Sequence, residues 1–460
     1  MPISSTHPLY DAFIDRWRRC RDVNEGQDAV KSAGKKYLPK PGGLTDEAYK
    51  AYVERALFYE AVGRTIEGFV GAISRIDPVI EPADALKDIL DDVTADGMPL
   101  NELTKSLCGE TILQGRAGVL VDYDDTLGRA YLKLYQTEAI TNWSDAGVVL
   151  HETVYETDPT DKHKQLAIEQ YRELSIDGGV YTVTLWRKPK GAITKDDWVI
   201  HETIVPKKVG KAFEEIPFFW LTPLGKTTRI EKPPLLGLVN VCISHYRNSA
   251  DLEHGRHFTG LPTPYVTGTV NDGTEIRIGS TVILQLPDAN SKVGFMEFTG
   301  QGLKSLETAL EAKEQMMGVL GAAVFHDAPR GVEAAETARI RSNGETSLLV
   351  GVTTAVEATL EAALQCAAEW SGIKGEVEVT LNREYVDTTL DGPTLTALVA
   401  AFQAGALSLP QFLFNLQQAE LLAPDTDIEA EQAVVLAETA ARQDAAIKLA
   451  QSTKPQPKPT

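Results

Sequence analysis

The chain has 460 residues, 43% of them hydrophobic and 24% charged, which describes a folded protein of two or three domains or one extended subunit. Its 45 Lys and Arg stand against 65 Asp and Glu, a formal charge of −20, which argues against a surface that clings to nucleic acid or anionic lipid. Cys20, Cys108, Cys242 and Cys366 are widely spaced with no CxxC pair, so they read as free thiols, and no run of about 18 uninterrupted apolar residues signals a membrane span. The amino terminus lacks a basic region followed by an apolar core, so a reducing, aqueous compartment is the expectation.

Residues 8–77 read as mainly helical. Lys40-Pro41-Gly42-Gly43 makes a turn, Thr45 begins a helix with Asp46 and Glu47 in its first turn, and Asp77-Pro78 closes the stripe running through Tyr52, Tyr59, Ile66 and Phe69. Met98-Pro99-Leu100 opens another helix that carries Leu103, Leu107 and Ile112 and ends at Gly115. At Gly118 the period changes. Val119-Leu120-Val121 is a short apolar run, turn residues follow through Gly128, and 130–135, 165–174, 180–186 and 198–205 carry the β-branched and aromatic side chains of strands. With a hairpin signal at Asp177-Gly178-Gly179, residues 116–222 form a mixed, mainly antiparallel module.

Lys232-Pro233-Pro234 punctuates the chain. A helical stripe of Leu235, Val239, Cys242, Tyr246 and Ala250 then runs to about His257, and a compact insert with strand signals fills 258–300. Leu303, Leu306, Leu310, Met317 and Leu320 mark the next helix. Pro329 and Gly331 stop it in a short loop, after which Leu349, Val352, Val356, Leu360, Leu364, Ala367 and Trp370 mark a long one. Two antiparallel helices bracketing a β cap would make a stalk with a head. Residues 376–381 read as a strand, 394–404, 410–421 and 427–450 as helices, and the Pro-rich tail 451–460 as disordered. The fold class is α+β.

Few residues carry recognisable chemistry. Asp122, Asp124 and Asp125 after a strand are placed either to chelate a divalent cation, as in a metal-dependent nuclease or transferase, or to cap a solvated turn. His245, His254 and His257 form a histidine group without an HExxH partner, so solvated or tunnel-facing rings are the plainer reading. Gly115-Arg116-Ala117-Gly118 lacks the Lys-Ser/Thr ending of a phosphate loop and precedes a strand instead of following one. With no nucleophile elbow or triad, no enzymatic activity, cofactor or metal is expected.

The order of parts resembles the portal proteins of tailed double-stranded DNA bacteriophages. The resemblance runs from about Tyr37 to Ala440 and rests on Tyr37-Leu38-Pro39 followed by 49–71, 115–122, Ala139-Ile140-Thr141-Asn142-Trp143, 234–251, 298–303 and Glu336-Thr337-Ala338. It implies an elongated subunit with a wing at 1–232, helical over 8–115 and mainly β over 116–222. Two stem helices at 233–257 and 301–321 and a clip at 258–300 follow. A tunnel loop at 322–332, a long wing helix and strand at 333–393 and crown-side helices at 394–450 complete it.

The resemblance further implies a homo-oligomeric ring, commonly of twelve subunits, at a capsid vertex of the virion, assembled in the host cytoplasm. Its partners would be double-stranded DNA in the channel, the terminase large subunit, major capsid or scaffold protein and a head-tail adaptor, with no membrane. His326, Asp327, Ala328, Pro329, Arg330, Gly331 and Val332 would line the channel, and Tyr265, Thr267, Asp272 and Arg277 would serve clip contacts. Arg256, Lys304 and Lys313, on or near the stem helices, are open to transient phosphate contact or to plain solvated charge. An acidic ring would repel a passing duplex and so lower friction. A scaffold or adaptor without a channel stays open as a rival.

Overall fold

A computed structural model describes residues 2–189, 197–208, 210–223, 228–260, 263–267, 292–296, 301–321, 335–385, 392–418, 421–423 and 426–452. The chain is α+β and divides into two compact units, 1–385 and 386–460. In the first, six helices precede the main sheets: α1 (Pro8–Glu25), α2 (Gln27–Ser32), α3 (Asp46–Arg55), α4 (Ala61–Ile73), α5 (Ala83–Leu90) and α6 (Leu100–Gln114), with the short strand β1 (Val79–Glu81) between α4 and α5. Local chemistry fixes their ends. Thr45 accepts from the Ala48 amide at the start of α3, and Gly115, at φ +71°, closes α6 by donating its N–H to Thr111.

The β module separates into two antiparallel sheets. Strands β2 (Ala117–Asp124) and β3 (Arg129–Gln136) pair as a hairpin, while β4 (Ile140–Ser144), β5 (Gly147–Asp158), β6 (Asp161–Asp177), β7 (Val180–Arg187) and β8 (Val199–Ile204) form a five-stranded meander. After the short pair β9 (Lys207–Lys208) and β10 (Lys211–Ala212), strand β11 (Phe218–Leu221) returns to flank β2. The return needs a glycine. Across that pairing the Phe218 ring lies so close to Gly118 that a Cβ there would sit 2.1 Å from Cζ.

Next come α7 (Leu236–Gly260), β12 (Thr263–Thr267), β13 (Lys292–Met296), α8 (Gln301–Leu320), α9 (Ala335–Trp370) and β14 (Glu378–Thr380). Helix α9 supplies the centre of the core: Leu349, Val352, Val356, Leu360, Leu364 and Ala367 are buried, and the helix packs on α6, β2, β3 and β11. Ser347–Trp370 is long and apolar enough to cross a bilayer, but here its apolar side chains meet sheet and helix. Strand β14 pairs antiparallel with β1, Ile80 opposite Val379, joining segments about 300 positions apart.

The second unit holds α10 (Gly392–Gln403), α11 (Leu409–Gln418) and α12 (Ile428–Ser452), with Phe402 stacked on Phe412 at 4.5 Å. Helices expected at 394–404, 410–421 and 427–450 are therefore present with shifted ends. The tail, the loop 322–332, and Asp272 and Arg277 of the insert lie outside the described residues, except for Gln451 and Ser452 at the end of α12.

Candidate functional site

The candidate site is the hairpin of α7 and α8. Pro233 and Pro234 lead into α7, and the amides of Leu236 and Val239 reach back to the carbonyls of Pro233 and Leu235. Helix α7 packs against α1, α3 and α4, with Leu238, Val239, Cys242 and Tyr246 of its first half buried. Burial fades beyond Leu252, and Arg256, His257 and Phe258 are exposed. The β12–β13 ribbon follows with Val266 opposite Val293 and Tyr265 opposite Gly294. Tyr265 and Thr267 are exposed on it.

Helix α8 runs back antiparallel to α7, on which it chiefly packs. Cys242 Sγ meets Met317 Sδ at 3.4 Å near the body, His245 Nε2 lies 3.3 Å from Glu314, and Arg256 bonds both Glu253 at 2.9 Å and Glu307 at 3.0 Å nearer the ribbon. Gly255 lets the helices close: a Cβ there would lie 2.5 Å from Leu303 Cδ2. Among the described side chains of this helix and its end, Leu310, Met317 and Gly321 are the buried ones, while Met316, Val319 and Leu320 are exposed together at spacings of three and four.

The three cations proposed from sequence fall unequally. Arg256 is engaged in its two ion pairs, and Lys313 donates to the Ser244 carbonyl at 3.0 Å, with burial lowering its pKa. Lys304 stays solvated, 3.8 Å from Glu307. Of the three histidines expected as solvated or tunnel-facing rings, His257 is exposed and the other two are held in the body. His245 is buried, and burial lowers its pKa although Glu314 pulls the other way; His254 sits against Arg55 and edge-on to Tyr52. Tyr52 in turn donates to Asp251 at 2.6 Å.

Two of the three carboxylates at the end of β2 have structural partners, and Asp125 is exposed in the turn that follows. Asp122 pairs with Arg172 at 2.8 Å, and Asp124 accepts from the Thr126 and Leu127 amides, whose bonds lower its pKa. Among the described residues no group of three or more His, Cys, Asp or Glu is arranged to hold a metal. The free thiols are buried or half-buried, and burial pushes Cys242 up to about 12, so it packs and does not react.

Two buried polar arrangements escaped sequence reading. Glu152 accepts from Lys133 at 2.8 Å, Gln170 at 2.8 Å, Arg172 at 3.3 Å and Tyr135; burial opposes its charge, yet Arg172 and Lys133 hold its pKa at about 2. Arg116, 1% exposed, lies between Trp143 and Trp220 at 4.1 and 4.2 Å, its three guanidinium nitrogens have no hydrogen-bond partner among the described residues, and burial pulls it down to about 9. Glu152 sits in the meander and Arg116 just ahead of β2. Strand pairing assembles their surroundings, with Glu152 opposite Gln170 and Trp220 opposite Gly118, and a linear motif search has nothing to find.

Residues 234–371, from the start of α7 through α9, match a family model described as a domain of unknown function (DUF4055). No curated protein matches the chain significantly. Similar solved structures include the neck of an empty gene transfer agent particle computed with C6 symmetry, at 11% identity and TM-score 0.40, covering 76% of this chain and 88% of that one. The virion of a native gene transfer agent particle matches at 10% identity and TM-score 0.38, covering 83% and 93%. The neck of the native particle computed with C12 symmetry matches at 13% and 0.35, covering 83% and 97%. Likeness of this degree is too loose to assign a fold family.

Proposed function

We propose that the chain is the subunit of a homo-oligomeric ring at the vertex of a phage-type capsid, a portal-like conduit for double-stranded DNA. The observation that carries this reading is the α7–α8 hairpin with its β ribbon, which leaves Phe258, Met316, Val319, Leu320 and Phe295 between 43% and 56% exposed. Apolar surface repeated along one element is what packing against further copies covers. In this reading α7 and α8 surround the channel, the β12–β13 region meets the terminase large subunit and later a head-tail adaptor, and the loop His326–Val332 faces the duplex. The chain works by position and charge, and the packing ATPase belongs to a partner.

Sedimentation velocity of the purified 50.1-kDa chain tests it. One closed oligomer is expected, commonly of twelve copies; a stable monomer at micromolar concentration would contradict it. Deleting Asp327–Gly331 should leave that oligomer intact and impair DNA packaging or retention. Normal packaging and retention in the deletion would remove the loop from the channel.

A further inference from the structure

Two grooves of opposite charge flank α7. With about 3.6 residues per turn, Asn240, Ser244 and Arg247 stand on one side of the helix and Ser249, Leu252 and Arg256 on the other. The first side, with α1 and the turn after it, encloses a groove of about 580 Å³ lined by Asp15, Arg19, Lys36, Tyr37 and Arg247. Arg19 bonds only the Asn240 amide oxygen and Arg247 only the Tyr37 carbonyl, so neither guanidinium has a carboxylate among the described residues. Lys36 lies 3.4 Å from Asp22.

The second side, with α8 and the segment 57–59, encloses a groove of about 460 Å³ lined by Glu253, Glu307, Glu311 and Glu314 beside exposed Leu57 and Tyr59. Arg256 answers Glu253 and Glu307, and among the described residues Glu314 has His245, its pKa lowered by burial, as its one ion-pair partner. Glu311 has no ion-pair partner among the described residues. In a chain of net charge −20, a groove with three cations and one carboxylate is a local exception, and an acidic groove lies across the same helix from it.

We infer that the basic groove of one copy receives the acidic face of α8 and α7 from the next copy. This rests on the ring reading and names its contact. Complementary patches on opposite sides of one helix cannot satisfy each other in a two-fold dimer that uses one shared face. They are suited to a head-to-tail contact that repeats and closes. Desolvated Arg–carboxylate pairs across such a seam also fix its register.

Charge reversal on each side tests the contact. The Glu311→Lys/Glu314→Lys variant sets lysines against the neighbour's arginines, and the Arg19→Glu/Arg247→Glu variant sets carboxylates against carboxylates. Each alone should lose the oligomer by sedimentation velocity while keeping its circular dichroism spectrum, and an equimolar mixture should regain it, because both seam types in an alternating ring are then complementary. In an otherwise unchanged chain, Glu311→Cys with Arg19→Cys should give cross-linked ladders under mild oxidation. Wild-type rings with reversal variants that assemble normally, or with no ladder, would overturn the contact and leave the ring standing. A monomeric wild type would fail the ring itself. Cross-linking of Glu311→Cys alone into dimers would indicate a two-fold contact and overturn the inference.

Discussion

His245 and Glu314 meet across the helical hairpin at 3.3 Å, a buried imidazole on α7 facing a half-exposed carboxylate on α8, with the Tyr59 ring 5.6 Å away. Burial dominates and lowers the histidine pKa, with Glu314 opposing and Lys313 assisting. The unfolded chain therefore binds more protons between the folded pKa and about 6.5, so this residue's contribution to stability is present above about 6.5 and is lost as pH falls through the folded value. Thermal melts from pH 7.5 down to 5.5 should show Tm falling, and His245→Gln should flatten that part of the slope. An unchanged slope in the variant would detach the hairpin from this titration.

Arg116 is a buried cation whose guanidinium N–H groups find no acceptor among the described residues, and it lies between the faces of Trp143 and Trp220. Removing it strands no partner. Arg116→Met should therefore hold or raise stability, whereas Trp143→Ala should cost about 3–5 kcal/mol through the cavity it opens. Urea unfolding measures both, and a loss above about 2 kcal/mol in the Met variant would mean the cation–π contacts outweigh the desolvation they relieve.

Glu152 presents the reverse case, a charge with every partner supplied. Glu152→Gln should destabilise by about 3–5 kcal/mol at neutral pH, since Arg172 and Lys133 lose their buried counter-charge, with Asp122 retained as a remaining partner for Arg172. Because its folded pKa of about 2 lies below the unfolded value of about 4.3, its contribution is full above about 4.3 and fades as pH falls toward 2. The difference between wild type and variant in chemical denaturation should shrink over that window.

Two glycines separate rigid from yielding contacts. Gly118→Ala drives a methyl into the Phe218 ring and should cost about 1–3 kcal/mol or more, while Gly255→Ala meets only the free end of Leu303 and should cost less. Paired thermal melts rank them. Equal losses would place the hairpin seam under the same constraint as the sheet.

Periodicity made the long elements legible. The stripes Leu235 to Ala250 and Leu349 to Trp370 are α7 and α9, because a helix that buries one face must repeat its apolar residues at three and four. Strand β1 and helix α5 were not legible: Pro78 and Pro82 bracket three residues whose only strand partner is β14, about 300 positions away, and no local pattern records such a pairing. Charges misled for a related reason. Arg256 and Lys313 read as solvated or DNA-facing from one helix, and only the second helix shows Arg256 bonded to Glu307 and Lys313 reaching across to Ser244. At 122–125 the turn-capping alternative is the one seen at Asp124, which accepts from the Thr126 and Leu127 amides, while the Asp122–Arg172 pair depends on β6 and has no local signal.

The most direct measurement is electron microscopy of the purified 460-residue chain, carried to a resolution at which helices are traced. The account predicts rotationally symmetric rings with a central channel and the α7–α8 hairpins arrayed around it. Monomers, two-fold dimers or rings whose hairpins point away from the channel would contradict it.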